Sequence, residues 1–377
     1  MHEFLSLAHG MSVIERWNNK PNLLAETVAA HSFLVSVMAW GLGAAAQAKG
    51  MKVDLGQVLK RAIAHDLHEV ITGDILAPTK RADPGIAQAV ADLEREANLE
   101  ILATLPPRLQ EELAPYMLEP ADDSPEGRVV AAADLFAAYL KSWLEVQLGN
   151  AFHTETRQRI CGMLQSSPVP MVTELMADLE KVEQQGEGLG DEPSLAGFLH
   201  HLVTLYYVKR WNYLPTLATK SVAAHSHLVA LAAWIMAAAE NHAHGRDLPL
   251  DDILKRALLV EAPKAITGDI LYRSKTASRP MAAGVETVRA QAARQMIAAL
   301  PGELQPHFAP YMAPLPGPAG KLVEEAAVVA AYMEVIMEIK LGNTYFLPLK
   351  QALEERVPDP FPVTRQLMEA LGRLDAP

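Results

Sequence analysis

The chain has a single cysteine among 377 residues. Cys161 therefore has no partner for an internal disulfide and cannot build a cysteine cage for zinc, a usage that fits a reducing compartment. Long apolar runs are also missing: the longest, Leu228 to Ala239, falls well short of the ~20 residues that span a bilayer. The N-terminus shows no basic region followed by an apolar stretch, so no secretory signal is evident. Positive charge is in deficit, with 33 Lys and Arg against 45 Asp and Glu and a formal net charge of -12, which argues against duplex nucleic acid as a partner. A small phosphorylated ligand still fits, because one or two arginines or a metal ion in a pocket can hold it whatever the overall charge. These absences describe a soluble, cytoplasmic protein with neither a membrane nor duplex nucleic acid as its partner.

Strand-like alternation is nearly absent too. Half of the residues are apolar, and they recur at spacings of three and four, as in His31, Leu34, Val35, Met38 and Leu42, which places them on one helical face. The reading is all-α. Pro106, Pro107, Pro115, Pro301 and Pro310 are expected at helix boundaries or first turns. The length suffices for two domains of roughly 180 residues, each with its own core.

The two domains are one module written twice. FLSLAHGMSVIERW (from Phe4) returns as FLHHLVTLYYVKRW (from Phe198), AAHSFLV (from Ala29) as AAHSHLV (from Ala223), and KRAIAHDLHEVITGDIL (from Lys60) as KRALLVEAPKAITGDIL (from Lys255). Between them EQQGEGLGDEP is polar, acidic and glycine-rich and reads as a linker, which divides the chain into residues 1–182, a linker 183–193 and residues 194–377. Two alike modules in one chain predict a packed pseudo-twofold dimer, as a fused homodimer would give, with further self-association left open.

Differences between the copies fall where chemistry would sit. His31 keeps its counterpart in His225, but His65 becomes Val260, Asp66 becomes Glu261, His68 becomes Pro263, Glu69 becomes Lys264 and Asp134 becomes Ala327. The first copy is therefore the working one. Asp134 lies among apolar residues in VVAAADLFAAYL, where an isolated carboxylate would cost several kcal/mol without a cation or strong donors. Asp66 and His65 are expected on a helix starting near Lys60, with Glu69 one turn beyond His65 on the same face. With His31 on a third helix, two imidazoles and two carboxylates would form a mixed nitrogen and oxygen site for one divalent ion, with positions open for water or substrate.

His31, the pair His65-Asp66 and the distant Asp134 resemble the H...HD...D signature of HD-domain metal-dependent phosphohydrolases. More narrowly, RWNNKPNLLAETVAAHS, HDLHEVITGDI and AADLFAAYLK, in that order, resemble the bacterial 5'-deoxynucleotidases of the YfbR type over essentially the whole first half and, through degenerate counterparts, the second. The resemblance implies two tandem HD-domain helical modules, of which the second lacks the metal site. It implies that His31, His65, Asp66 and Asp134 bind one divalent ion, with cobalt, manganese, magnesium, zinc and iron not distinguished. Arg16 would hold the phosphate and Trp17 would crowd the sugar C2', so that deoxyribose fits better than ribose. Glu69 and Asp74 match acidic residues of the family's active site, with Glu26 in support. The substrate-facing set is Arg16, Trp17, Asp66, Asp74, Ile75, Leu76 and Ala77. The implied activity is removal of the 5'-phosphate from deoxyribonucleoside monophosphates. The alternatives are a deoxynucleoside triphosphate triphosphohydrolase of the dATP type, with Lys80 and Arg81 near the extra phosphates, and a non-catalytic nucleotide-binding protein. His68, which the family pattern does not demand, is expected at the surface or supporting the site.

In the second copy Lys264 is expected to pair with Glu261 and fill the place of the ion with its own charge. Lys264, Lys220 and Arg210 together would make an anion site, unless that half is only a dimerisation scaffold.

Overall fold

The computed structural model describes residues 1–80, 82–185, 193–275 and 277–374. Among them it contains no strand, only two isolated bridges, Glu15 to Thr27 and Lys209 to Ser221, which are counterparts in the two halves. The first half runs α1 (His2–Gly10), α2 (Val28–Ala48), α3 (Leu55–Ala64), α4 (Glu69–Thr72), α5 (Ala77–Lys80), α6 (Pro84–Ala103), α7 (Pro107–Leu118), α8 (Pro125–Gln147), α9 (Thr154–Leu164) and α10 (Pro170–Gln185). The second half repeats that order as α11 (Leu195–Thr204), α12 (Val222–His244), α13 (Leu250–Leu259), α14 (Lys264–Thr267), α15 (Tyr272–Lys275), α16 (Arg279–Ala298), α17 (Gln305–Met312), α18 (Gly317–Lys340), α19 (Leu347–Glu354) and α20 (Pro362–Gly372).

Each half is organised around its second helix. Helix α2 starts where Thr27 accepts the Ala30 N–H, and α12 where Ser221 accepts the Ala224 N–H, each satisfying a donor that the first helical turn leaves free. Both helices are buried around nearly their whole circumference, so the stripe from His31 to Leu42 is only part of what α2 buries. By length and composition both could cross a bilayer, which the short uninterrupted runs concealed, but their apolar windows are 100% and 94% buried inside the protein. All-round apolarity is here the mark of a core helix.

The two central helices pack on each other, and the contact follows a pseudo-twofold relation. Trp40 meets Tyr311 edge-on at 5.6 Å and Trp234 meets Tyr116 at 5.5 Å. Trp40 also stacks on Phe308 at 4.0 Å. His227 donates from Nε2 to the Ile63 carbonyl at 2.9 Å across the interface, and Lys60 reaches Asp251 at 3.4 Å. Helix α1 packs on α12 and α18 of the other half, as α11 packs on α2. A Cβ on Gly41 would come within 3.0 Å of Leu195, so that crossing depends on a residue without a side chain.

Three expectations change. Pro115 and Pro310 lie inside α7 and α17 rather than at their starts; both fall in the last turn, so each removes an N–H from the helical ladder close to where the helix ends. The expected linker begins too early, because α10 continues to Gln185; residues 186–192 lie outside the described set. Helix α3 starts at Leu55, capped by Asp54, and has ended before His65. The bonds Leu67 N to Ala64 O and Glu69 N to Asp66 O close over three residues, giving a tight turn from 65 to 68 before α4. Glu69 therefore does not follow His65 along one helix face.

Candidate metal centre and phosphate cleft

The turn after α3 brings His65 and Asp66 to one place despite their adjacency in sequence. His65 donates from Nδ1 to the Ala62 carbonyl at 2.7 Å, which orients the ring and leaves Nε2 to face Asp66. That Nε2 lies 3.1 Å from Asp66 Oδ2 without hydrogen-bond geometry to any partner. From α2, the fully buried His31 aims Nε2 at Asp66 Oδ2 (3.7 Å) and at Asp134 Oδ1 (2.9 Å) on α8. His31, His65 and Asp66 each offer a ligand atom within 4.8 Å of the others, and Asp134 joins them through His31. Its side chain is 47% exposed, so the cluster opens to solvent on that side.

Arg16 spans the acidic flank. Its Nη1 lies 3.3 Å from Asp66 and 4.0 Å from Glu69, and its Nε lies 3.6 Å from Glu26. Burial alone would weaken the guanidinium's hold on its proton, but Glu69, Asp66, Glu26 and Asp74 together strengthen it. Burial would likewise raise Asp66, yet His65 and Arg16 keep its carboxyl well below the usual range. Glu69 goes the other way: burial, helped by the Asp66 charge, pushes it up to about 9. Neighbouring carboxylates driven apart in this manner are a common mark of acid and base chemistry.

Trp17 sits at φ 62, a left-handed backbone that costs a residue with a Cβ about 1–2 kcal/mol. Its indole N–H donates to Glu26 at 2.8 Å, and the ring lies against His153 at 5.5 Å. Glu26 is buried and so joins Arg16 and Trp17 from behind.

A cleft of about 460 Å³ adjoins the cluster, lined by Arg16, Trp17, Asp74, Leu76, Ala77 and Asp134 among others. Ile75 is not among its lining residues. Lys80 is held by Glu94 at 2.6 Å, and Arg81 lies outside the described residues. His68 is buried, not at the surface, with Nε2 3.6 Å from the same Glu94.

The cleft also holds two cations that the motifs did not single out. Lys20 donates to Thr156 at 2.7 Å, and Arg159 reaches in from α9. A signal for them existed: Lys20 corresponds to Leu214, Thr156 to Leu349 and Arg159 to Ala352, the same kind of change that marks three of the four candidate ligands.

In the second half, Lys264 lies 2.5 Å from Glu261, as expected, and 2.7 Å from Asp269, so its ammonium is held between two carboxylates. The expected anion site does not form there. Arg210 is bound to Glu334 at 3.0 Å and Lys220 to Glu338 at 2.7 Å, which leaves all three cations matched by internal carboxylates. Glu334 also accepts from His225 and from the Trp211 indole. Trp211 repeats the left-handed backbone at φ 55. The remaining cleft is about 150 Å³.

A family model described as 5'-deoxynucleotidase YfbR-like matches residues 3–181 and, a second time, 197–363. A 5'-deoxynucleotidase of Vibrio parahaemolyticus is 32% identical over 170 residues, 45% of this chain and 87% of that protein. One of Pasteurella multocida is 33% identical over 159 residues, 42% of this chain and 81% of that protein. Among solved structures, an HD-domain phosphohydrolase of Listeria innocua aligns at a TM-score of 0.42 with 22% identity, over 49% of this chain and 86% of that one.

Proposed function

This chain belongs to the YfbR-like 5'-deoxynucleotidase family, and from that premise we propose that it is a divalent-metal-dependent phosphomonoester hydrolase removing the 5'-phosphate of deoxyribonucleoside monophosphates, with all of the chemistry in its first module. The observation that carries this reading is the Nε2 of His65 beside Asp66, with its other ring nitrogen committed to Ala62. A buried ring nitrogen facing a carboxylate, with its other nitrogen committed to the backbone, suits a metal ligand.

His31, His65, Asp66 and Asp134 would hold the ion, and two imidazoles favour a first-row transition metal over magnesium. When bound, the ion supplies a water of lowered pKa and neutralises phosphoryl charge. Arg16, pinned by Asp66 and Glu26, presents its guanidinium to the phosphate oxygens, whose charge it stabilises. Glu69 is placed to orient the attacking water or to pass a proton. Trp17 and Asp74 border the space for the sugar, Trp17 against C2'. Lys20 and Arg159 add positive charge to the same cleft. A monophosphate suits it better than a triphosphate, because the ammonium of Lys80 is already held by Glu94.

The test is a substrate panel. Metal-loaded protein is incubated with mono- and triphosphates of both sugars, and the released orthophosphate, pyrophosphate or tripolyphosphate is identified. Orthophosphate from deoxynucleoside monophosphates is expected; tripolyphosphate release would replace this reading with the triphosphohydrolase.

A further inference from the structure

A cavity of about 960 Å³ lies in the second module and is separate from the first module's cleft. It lies within the range of small-ligand pockets. Its floor is where the first module carries metal ligands: Val260 and Ala327, the counterparts of His65 and Asp134, both line it.

The charge on its walls is reversed relative to the first module. There, Arg61 is neutralised by Asp122 at 2.9 Å. Its counterpart Arg256 has lost that partner, because the chain from Ala313 to Val323 is two residues shorter than its equivalent and contains no acid. Arg256 is only 5% exposed and donates to the Tyr311 carbonyl at 2.9 Å. Among the described residues no carboxylate lies within ion-pair distance of it. On the facing helix α16, Arg289 stands where α6 carries Glu94. It donates to the Val260 carbonyl at 3.1 Å and meets only Glu286, at 3.5 Å, whose side chain is 69% exposed. Burial, joined by repulsion from Arg289, lowers the pKa of Arg256 to about 10.

Most carboxylates around the cavity are occupied. Glu261 is paired with Lys264 and Asp359 with Lys321, and Glu325 accepts from the Phe361 N–H and the Thr364 hydroxyl. Glu324 is exposed at the rim. Between these groups the lining is apolar, with Ala293, Ile297, Met312 and Val328.

We propose that this cavity is a second ligand site, for a phosphomonoester of about nucleoside-monophosphate size, with the phosphate between Arg256 and Arg289 and the organic body over Ile297, Met312 and Val328. A buried guanidinium, Arg256, beside a half-buried one, Arg289, with only the exposed Glu286 and Glu324 as carboxylates not held elsewhere, suits a dianion, and a phosphomonoester carries close to two negative charges at neutral pH. The first module holds its own anion, Asp122, at the matching arginine; the second has exchanged an internal anion for an external one.

The experiment is isothermal titration of the full chain with a phosphonate analogue of thymidine 5'-monophosphate, which cannot be hydrolysed. Two sites per chain are expected. Arg16→Met should remove the one in the first module, whereas Arg256→Met and, separately, Arg289→Ala should weaken the other at least tenfold while leaving nucleotidase turnover unchanged. Saturating orthophosphate should raise the melting temperature of the wild type more than that of Arg256→Met. If both arginine variants give the wild-type isotherm, the proposal fails, whatever happens at Arg16. Binding of decanoate in place of the analogue would overturn the phosphate assignment. Failure of the functional reading alone would remove the Arg16-dependent site and leave the Arg256-dependent one.

Discussion

Glu334 accepts the indole N–H of Trp211 at 2.8 Å, the bond that in the first module ties Trp17 to Glu26 at the same 2.8 Å, yet the two glutamates do not correspond in sequence. Glu334 stands at the position of Lys141, and Lys220 stands at that of Glu26. Acid and base have changed places between two elements that pack together, and the anchor of the left-handed tryptophan survived. The second module thus kept the backbone of a ligand site while its cations became internally neutralised.

That exchange predicts a compensated pair in the first module. Glu26→Lys adds a third buried cation to Arg16 and Lys141 and should cost about 3–5 kcal/mol. Adding Lys141→Glu should recover most of it, because the introduced ammonium could then reach Glu145 as Lys220 reaches Glu338, and the introduced carboxylate could take the Trp17 N–H. Denaturant unfolding of both single variants and the double variant measures the coupling; strict additivity would show that the two modules are wired differently.

Lys264 neutralises Glu261 and Asp269 together. Lys264→Met strands two mostly buried carboxylates and should lower stability by about 3 kcal/mol, without creating metal binding. Lys264→Met with Glu261→Gln should regain part of that loss. An unchanged melting temperature for the single variant would count against the role assigned to Lys264.

His65→Val reproduces the residue that the second module carries at Val260, so the helix end should tolerate it. The expectation is a metal-free melting temperature near that of the wild type, metal content by mass spectrometry falling from one ion per chain to near none, and turnover reduced by about a thousandfold or more, corresponding to at least ~4 kcal/mol of transition-state stabilisation. Asp66→Ala should likewise abolish turnover.

Glu145 accepts from the Leu23 and Leu24 N–H groups, from Lys141 and from Asn150, and these bonds draw its carboxyl down to about 2 against the burial that would raise it. A depressed folded-state pKa contributes stability that is present above the ordinary value of 4.5 and lost as pH falls from there toward 2. Glu145→Gln should therefore cost roughly 2 kcal/mol at pH 7, and its stability curve should converge on the wild type near pH 2. A gap that persists at pH 2 would assign the effect to packing instead.

Much of this was legible in the chain itself. The duplication and the all-helical class follow from strings that repeat, because a module that must bury the same core keeps its apolar positions, and three of the four candidate ligands drew notice through strings that fail to repeat. The same comparison contained Lys20 and Arg159, but Lys20 passes unremarked within RWNNKPNLLAETVAAHS, Arg159 belongs to no quoted motif, and both draw notice only once the cleft is seen. Tertiary structure alone decided that α3 stops before His65, since a three-residue turn and a continuing helix share the same local sequence preferences. It also decided that Arg210, Lys220 and Lys264 are each matched by a carboxylate, and that Arg256 is not. Partners of a buried charge come from helices distant in sequence, and whether such a charge is satisfied is a property of packing that no local pattern encodes.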